Sequence, residues 1–117
     1  MKPKLLERTR PKISILDFTP SRITSFLRDR FADKGVREAY IFGSFAQGNC
    51  TAWSDLDIVI VKQTDQPFVE RPREFPEVYE LGIPVDLLVY TPEEMVSLKG
   101  SGSTFWREFE RQKVRIL

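Results

Sequence analysis

The sequence contains no histidine. That excludes His-ligated zinc, Ser–His and Cys–His nucleophile pairs, and imidazole acid–base chemistry. A single cysteine, Cys50, allows no internal disulfide and fits a reducing cytoplasm. No apolar run approaches the roughly 18 residues of a membrane span, and Met1 to Arg8 lack the apolar middle section of a secretory signal. Net charge is also nearly absent. The 18 Lys and Arg residues stand against 17 Asp and Glu, a formal +1, which makes no overall electrostatic case for nucleic acid. If the chain is an enzyme, carboxylates and phosphate chemistry are the means left to it.

What is present fits one domain. The chain has 117 residues, 41% of them apolar, enough for a single modest core. Charge is unevenly spread: residues 1–54 carry +5, residues 55–94 carry −7 and residues 95–117 carry +3. An acidic middle between basic ends suits metal in the middle and anionic ligands or partners at the edges. The first dozen residues, with Lys2, Lys4, Arg8, Arg10 and Lys12, read as a mobile basic arm. Residues 1–18 are thus expected to be a basic N-terminal extension, with a short strand at Ile13, Ile15 and Phe18, and residues 19–117 the domain.

Thr19-Pro20 signals a helix start, a hydroxyl cap with proline at the first position, and Ile23, Phe26, Leu27 and Phe31 follow at helical spacing. Val36 to Phe42 reads as a buried strand ending at Gly43. Asp55 to Val61 alternates cleanly, with Leu56, Ile58 and Ile60 on one face and Asp55, Asp57, Val59 and Val61 on the other. Residues 63–76 are proline-rich and read as irregular, with one helical turn near Glu77 to Leu81. Val85 to Tyr90 is a third strand. Thr91-Pro92-Glu93-Glu94 and Ser103-Thr104 each open a further helix, and Val114 to Leu117 suit an edge strand. The order predicts a small α/β sandwich.

Chemistry concentrates in Phe42 to Val61. Glycine at Gly43 lets backbone approach a ligand, amides opening a helix favour phosphate oxygens, and Ser44 adds a hydroxyl donor. Eleven residues after Ser44, Asp55 and Asp57 sit on one face of an otherwise apolar strand, with Cα atoms about 7 Å apart. Two like charges on a half-buried strand call for a compensating cation, and oxygen-only ligands point to Mg²⁺ or Mn²⁺. Asp86 is a third acid inside an apolar run. An unpaired carboxylate there needs a partner or a task. If its strand pairs beside that of Asp57, three carboxylates converge near Gly43-Ser44, as two-metal phosphoryl transfer requires.

A strand ending in Gly-Ser, ten intervening residues, Asp-x-Asp in the next strand and a lone Asp in a third resembles the polymerase-beta-like nucleotidyltransferase superfamily. In size and spacing the chain is similar to its minimal nucleotidyltransferases (MNT), commonly the antitoxin encoded beside a HEPN-domain ribonuclease toxin. The resemblance covers roughly residues 20–117. It implies a polymerase-beta-like α/β (α+β) fold, a small mixed sheet with helices mainly on one face. It further implies that Gly43, Ser44 and Gln47 bind nucleotide, that Asp55 and Asp57 bind two Mg²⁺ ions, and that Asp86 binds the catalytic ion and helps activate the acceptor. The implied reaction is ATP-dependent transfer of AMP to a hydroxyl, a tyrosine of a cognate HEPN toxin, in the cytoplasm. The alternatives are an antitoxin that neutralises by binding alone and a nucleotidyltransferase acting on a small molecule. An oligomer, or a hetero-oligomer with the toxin, is left open. Gln47 departs from the family's G-S-x-A-R-G pattern, bringing a hydrogen-bonding amide where a positive charge is usual.

The remaining features read more plainly. Phe45, Trp53, Phe105, Trp106 and Phe109 are expected in core or interface before base stacking. Phe105 and Phe109, at i and i+4, form a core stripe, with Trp106 beside it free to face a partner. Cys50 lacks a basic neighbour in sequence and reads as a bystander. Lys62 and Arg73 read as solvated surface.

Overall fold

Capping residues set most of the element boundaries in the computed structural model, which describes residues 12–117. The basic arm therefore lies, as far as residue 11, outside the described residues. Ser14 opens a 3₁₀ turn over Ile15–Asp17 in place of the expected strand. The Ser14 hydroxyl accepts from the Leu16 amide at 3.2 Å, and the Ser14 amide donates to Asp17 Oδ2 at 2.8 Å. This reciprocal cap offers the backbone a local alternative to strand pairing, and the turn buries Ile15 completely. Helix α1 (Pro20–Phe31) starts from Thr19, whose Oγ1 accepts from the Arg22 amide, and buries Ile23, Leu27 and Phe31.

Strand β1 (Val36–Phe42) leads into the short helix α2 (Gly43–Gln47). Strand β2 (Leu56–Lys62) pairs antiparallel with β1, and β3 (Val85–Tyr90) pairs parallel with β2. Helix α3 (Pro92–Lys99) carries the Thr91–Glu94 capping box, and α4 (Thr104–Gln112) is capped by Ser103. The two-residue strand β4 (Val114–Arg115) closes the sheet on β1 in the order β3-β2-β1-β4.

Strand β2 is the axis of the molecule. Leu56, Ile58 and Ile60 face α1, the 3₁₀ turns and Phe45 of α2, while Val59 and Val61 face Met95, Trp106 and Phe109. Helices α3 and α4 thus cover the second face, a layer beyond the mainly one-sided packing expected. Burying Ile58, Val59, Ile60 and Val61 contributes about 6–12 kcal/mol gross, comparable to the net stability of a small domain. Its loss would unfold the chain.

A parallel β2–β3 pair needs a crossover, which residues 63–84 supply without an α-helix. Two 3₁₀ spans, Phe68–Glu74 and Pro76–Leu81, replace the irregular stretch and single turn read from the sequence. Pro72 and Pro76 lack the amides an α-helix would need here, so the chain closes i→i+3 bonds such as Phe75 N–H to Pro72 O at 3.0 Å. Arg71 pins this crossover. It is 6% exposed; its Nη1 donates to Val89 O and Glu94 Oε1 at 2.9 and 2.6 Å, its Nη2 to Glu94 Oε2 at 3.1 Å, and its Nε to Gln66 O. The guanidinium thereby covers a carbonyl on the outer edge of β3.

Candidate active site

The register of three strands builds the site. Phe42 of β1 lies opposite Asp57 of β2, and Asp57 lies opposite Asp86 of β3. A row Phe42–Asp57–Asp86 therefore crosses the sheet on the face shared with Val59 and Val61. The sequence expectation that the Asp86 strand pairs beside the Asp57 strand is met. Asp55 stands one residue before β2, behind a turn in which Ser54 Oγ accepts from the Thr51 amide at 2.8 Å. Asp55 and Asp86 are exposed, and Asp57 is half-buried.

Helix α2 begins against this row. Gly43 has φ +76°, a left-handed conformation, and a Cβ at this position would come within 2.2 Å of Asp57 Oδ2. Only glycine satisfies both the backbone and the space. The Asp57 carboxylate is thus seated on the first residue of α2, with Ser44 next in line. Gln47 is exposed on the same short helix, its amide directed back to the Gly43 carbonyl at 3.4 Å.

Electrostatically the row is uncompensated. Burial, then Asp86, then Asp55 push the Asp57 carboxyl up to about 6. Among the described residues no ion pair reaches any of the three carboxylates. Nor do three metal-ligating side chains form a ready-made cage there. The donors are nonetheless hard oxygens that repel one another beside a glycine cradle, a set that fits a divalent cation such as Mg²⁺. Tyr90, four residues along the same face of β3, is raised by burial, by Glu94 and by Asp86.

Two features escaped the linear reading. Arg71 sits in a proline-rich segment with no periodicity to mark it, so only the folded crossover reveals its burial. The aromatic stripe of α4 is also rotated from expectation: Trp106 (4% exposed) and Phe109 (1%) are buried, whereas Phe105 is 44% exposed. Trp106 meets Tyr90, Phe105 and Phe109 edge-on and does not face outward. Lys62 and Arg73 pair with Glu74 and Glu70, at 3.5 and 2.8 Å, away from the carboxylate row.

A mixed four-stranded sheet with Gly-Ser at the end of one strand and acids on the next two is the polymerase-beta-like nucleotidyltransferase fold. The chain belongs to the nucleotidyltransferase-domain family, whose model matches residues 21–113. Its fold is similar to that of a crystal structure of a toxin–antitoxin with AMP-PNP, at TM-score 0.60 and 18% identity, over 80% of this chain and 72% of that one. A mutant of the MntA-HpeT toxin–antitoxin gives 0.56 and 19%, over 86% and 73%. A putative nucleotidyltransferase from Sulfolobus solfataricus gives 0.52 and 22%, over 79% and 73%. Among curated proteins, none matches the sequence.

Proposed function

We propose that the chain is a Mg²⁺-dependent nucleotidyltransferase that moves AMP from ATP to a hydroxyl, a tyrosine of a cognate HEPN-family toxin, and so acts as its antitoxin. The observation that carries this reading is the Asp57–Asp86 pairing on adjacent parallel strands, with Gly43 held against Asp57. The fold shared with a toxin–antitoxin bound to AMP-PNP supports the nucleotide and the kind of partner.

In this reading Gly43, Ser44 and Gln47 receive the triphosphate, and Asp55, Asp57 and Asp86 hold two Mg²⁺ ions. When bound, Mg²⁺ neutralises phosphate charge and lowers the pKa of an attacking hydroxyl. Asp86, exposed on the edge strand, is the carboxylate open to the acceptor and takes its proton. The acceptor oxygen bonds to the α-phosphorus, the bond to the β-phosphate oxygen breaks, and pyrophosphate leaves. Gly43 contributes by letting the backbone lie close to the reacting phosphates.

One observation favours a second reading, an antitoxin acting by occlusion alone. Gln47 brings no positive charge and turns its amide onto its own helix. Mass spectrometry of the co-expressed partner separates the two. The Asp55→Asn, Asp57→Asn double variant should stay soluble, still bind the partner, and lose about a thousandfold or more of the transfer of nucleoside monophosphate. If it protects cells as well as the unmodified chain does, catalysis is not the mechanism and occlusion is.

A further inference from the structure

Helix α4 leaves one large aromatic side chain in the open beside the carboxylate row. Phe105 is 44% exposed, yet its ring is ordered by two near-perpendicular contacts. It meets Phe42 with centroids 5.9 Å apart at 89°, and Trp106 at 5.5 Å and 87°. Phe42 immediately precedes Gly43 and is the register partner of Asp57. Side chains directly opposite on one face of an antiparallel pair have Cβ atoms about 4.5–5.5 Å apart. Phe105 therefore stands one ring away from the Asp57 carboxylate.

The two ends of the row differ in chemistry. Asp86 marks the β3 end, an exposed sheet edge where an acceptor can arrive. Phe105 marks the β1 end, where Gly43 and Ser44 lie and where α4 packs against α2. In the nucleotidyltransferase reading, on which this inference rests, the triphosphate occupies that second end and the nucleoside is covalently tied to it. A pre-oriented, solvent-facing phenyl ring at that place has the form of a stacking surface, since every base presents a π-face to an aromatic side chain.

We propose that Phe105 is the platform on which the base of the donor nucleotide stacks, a base subsite carried by α4 and braced by Phe42 and Trp106. Burial does not explain the residue, because the core on this face is already filled by Trp106 and Phe109. Edge-to-face bracing holds the ring in place before a ligand arrives, so stacking loses little side-chain freedom.

Calorimetry on the full chain with Mg²⁺, comparing AMP-PNP with inorganic tripolyphosphate, tests this. Phe105→Ala should weaken AMP-PNP about five- to thirtyfold, the lower part of the range for a stacked base, and leave tripolyphosphate unchanged. Phe105→Trp should keep AMP-PNP affinity. Unchanged AMP-PNP binding in Phe105→Ala overturns the subsite. So does an equal loss of both ligands, which would place the effect in the fold. If the unmodified chain binds neither ligand, the nucleotidyltransferase reading itself falls, an outcome distinct from failure of the subsite alone.

Discussion

Gly43→Ala is the substitution on which the geometry is most explicit. Two costs arise, and they can be measured separately. The backbone at φ +76° is left-handed, which costs an L-residue about 1–2 kcal/mol. The new methyl would lie 2.2 Å from Asp57 Oδ2 and 3.2 Å from its Cγ, well inside van der Waals contact, so the half-buried carboxylate must turn away from its place. Overpacking of that kind costs about 1–3 kcal/mol. Together they remove about 2–5 kcal/mol, a large part of the stability of a small domain, and lower Tm by roughly 8–20 °C. In an Asp57→Ala background the second cost disappears, because no carboxylate remains to be displaced. Urea denaturation of the four chains in this cycle should therefore give a coupling of about 1–3 kcal/mol between positions 43 and 57. A Gly43→Ala penalty of the same size in both backgrounds would refute the contact, and no penalty in either would refute the left-handed turn as well.

The crossover gives two further predictions. Arg71→Met should cost about 2–3 kcal/mol in urea denaturation, since it orphans Val89 O and removes both bonds to Glu94; Glu94 is 41% exposed on its side chain, so water compensates part of its loss. A cost below about 0.5 kcal/mol would mean that the guanidinium does not hold the crossover to β3. The same pair has a pH signature. The Arg71 hydrogen bond is the largest effect holding the Glu94 carboxyl below its ordinary 4.5; burial opposes it, and the Thr91 backbone, the Arg71 charge and the Thr91 side chain each add a smaller lowering. Because the folded pKa is the lower one, the stabilisation is fully present above pH 4.5 and disappears as pH falls through the folded value. Glu94→Gln should flatten that acid limb in melts recorded as a function of pH, and an unchanged limb would assign it to other carboxylates.

Much of the fold was legible because its signals are local. Thr19, Thr91 and Ser103 mark helix starts by side-chain caps that span only three residues, and all three cap in the structure. The β2 alternation likewise needs no partner to be seen. Ile13, Ile15 and Phe18 suggest a strand by their apolar pattern, and the Ser14–Asp17 cap that makes a turn of Ile15–Asp17 is a weaker signal in the same stretch. In α4, i/i+4 spacing cannot tell which side of a one-and-a-half-turn stripe meets the sheet. Packing against Tyr40, Phe42 and Tyr90 buried Trp106 and Phe109 and left Phe105 at the margin, in contact with Phe42 and half in solvent.

By itself the sequence determined the chemical vocabulary: no imidazole, three acids set into apolar strands, and a glycine–serine pair at the end of one of them. It also determined the faces, since alternation along β2 assigns Asp57 and Ile58 to opposite sides whatever the neighbours are. Only the tertiary structure decided which acids meet. A strand register that set Asp86 against Ile58 would turn the two carboxylates to opposite faces, and it is the burial of Leu87 and Val89 on the Ile58 face that rules it out. The pairing of Asp57 with Asp86, the closeness of Gly43 to Asp57 and the burial of Arg71 all depend on contacts between residues distant in the chain. Such contacts exist only once both faces of β2 are covered, because the burial of its aliphatic side chains holds the three strands in one register.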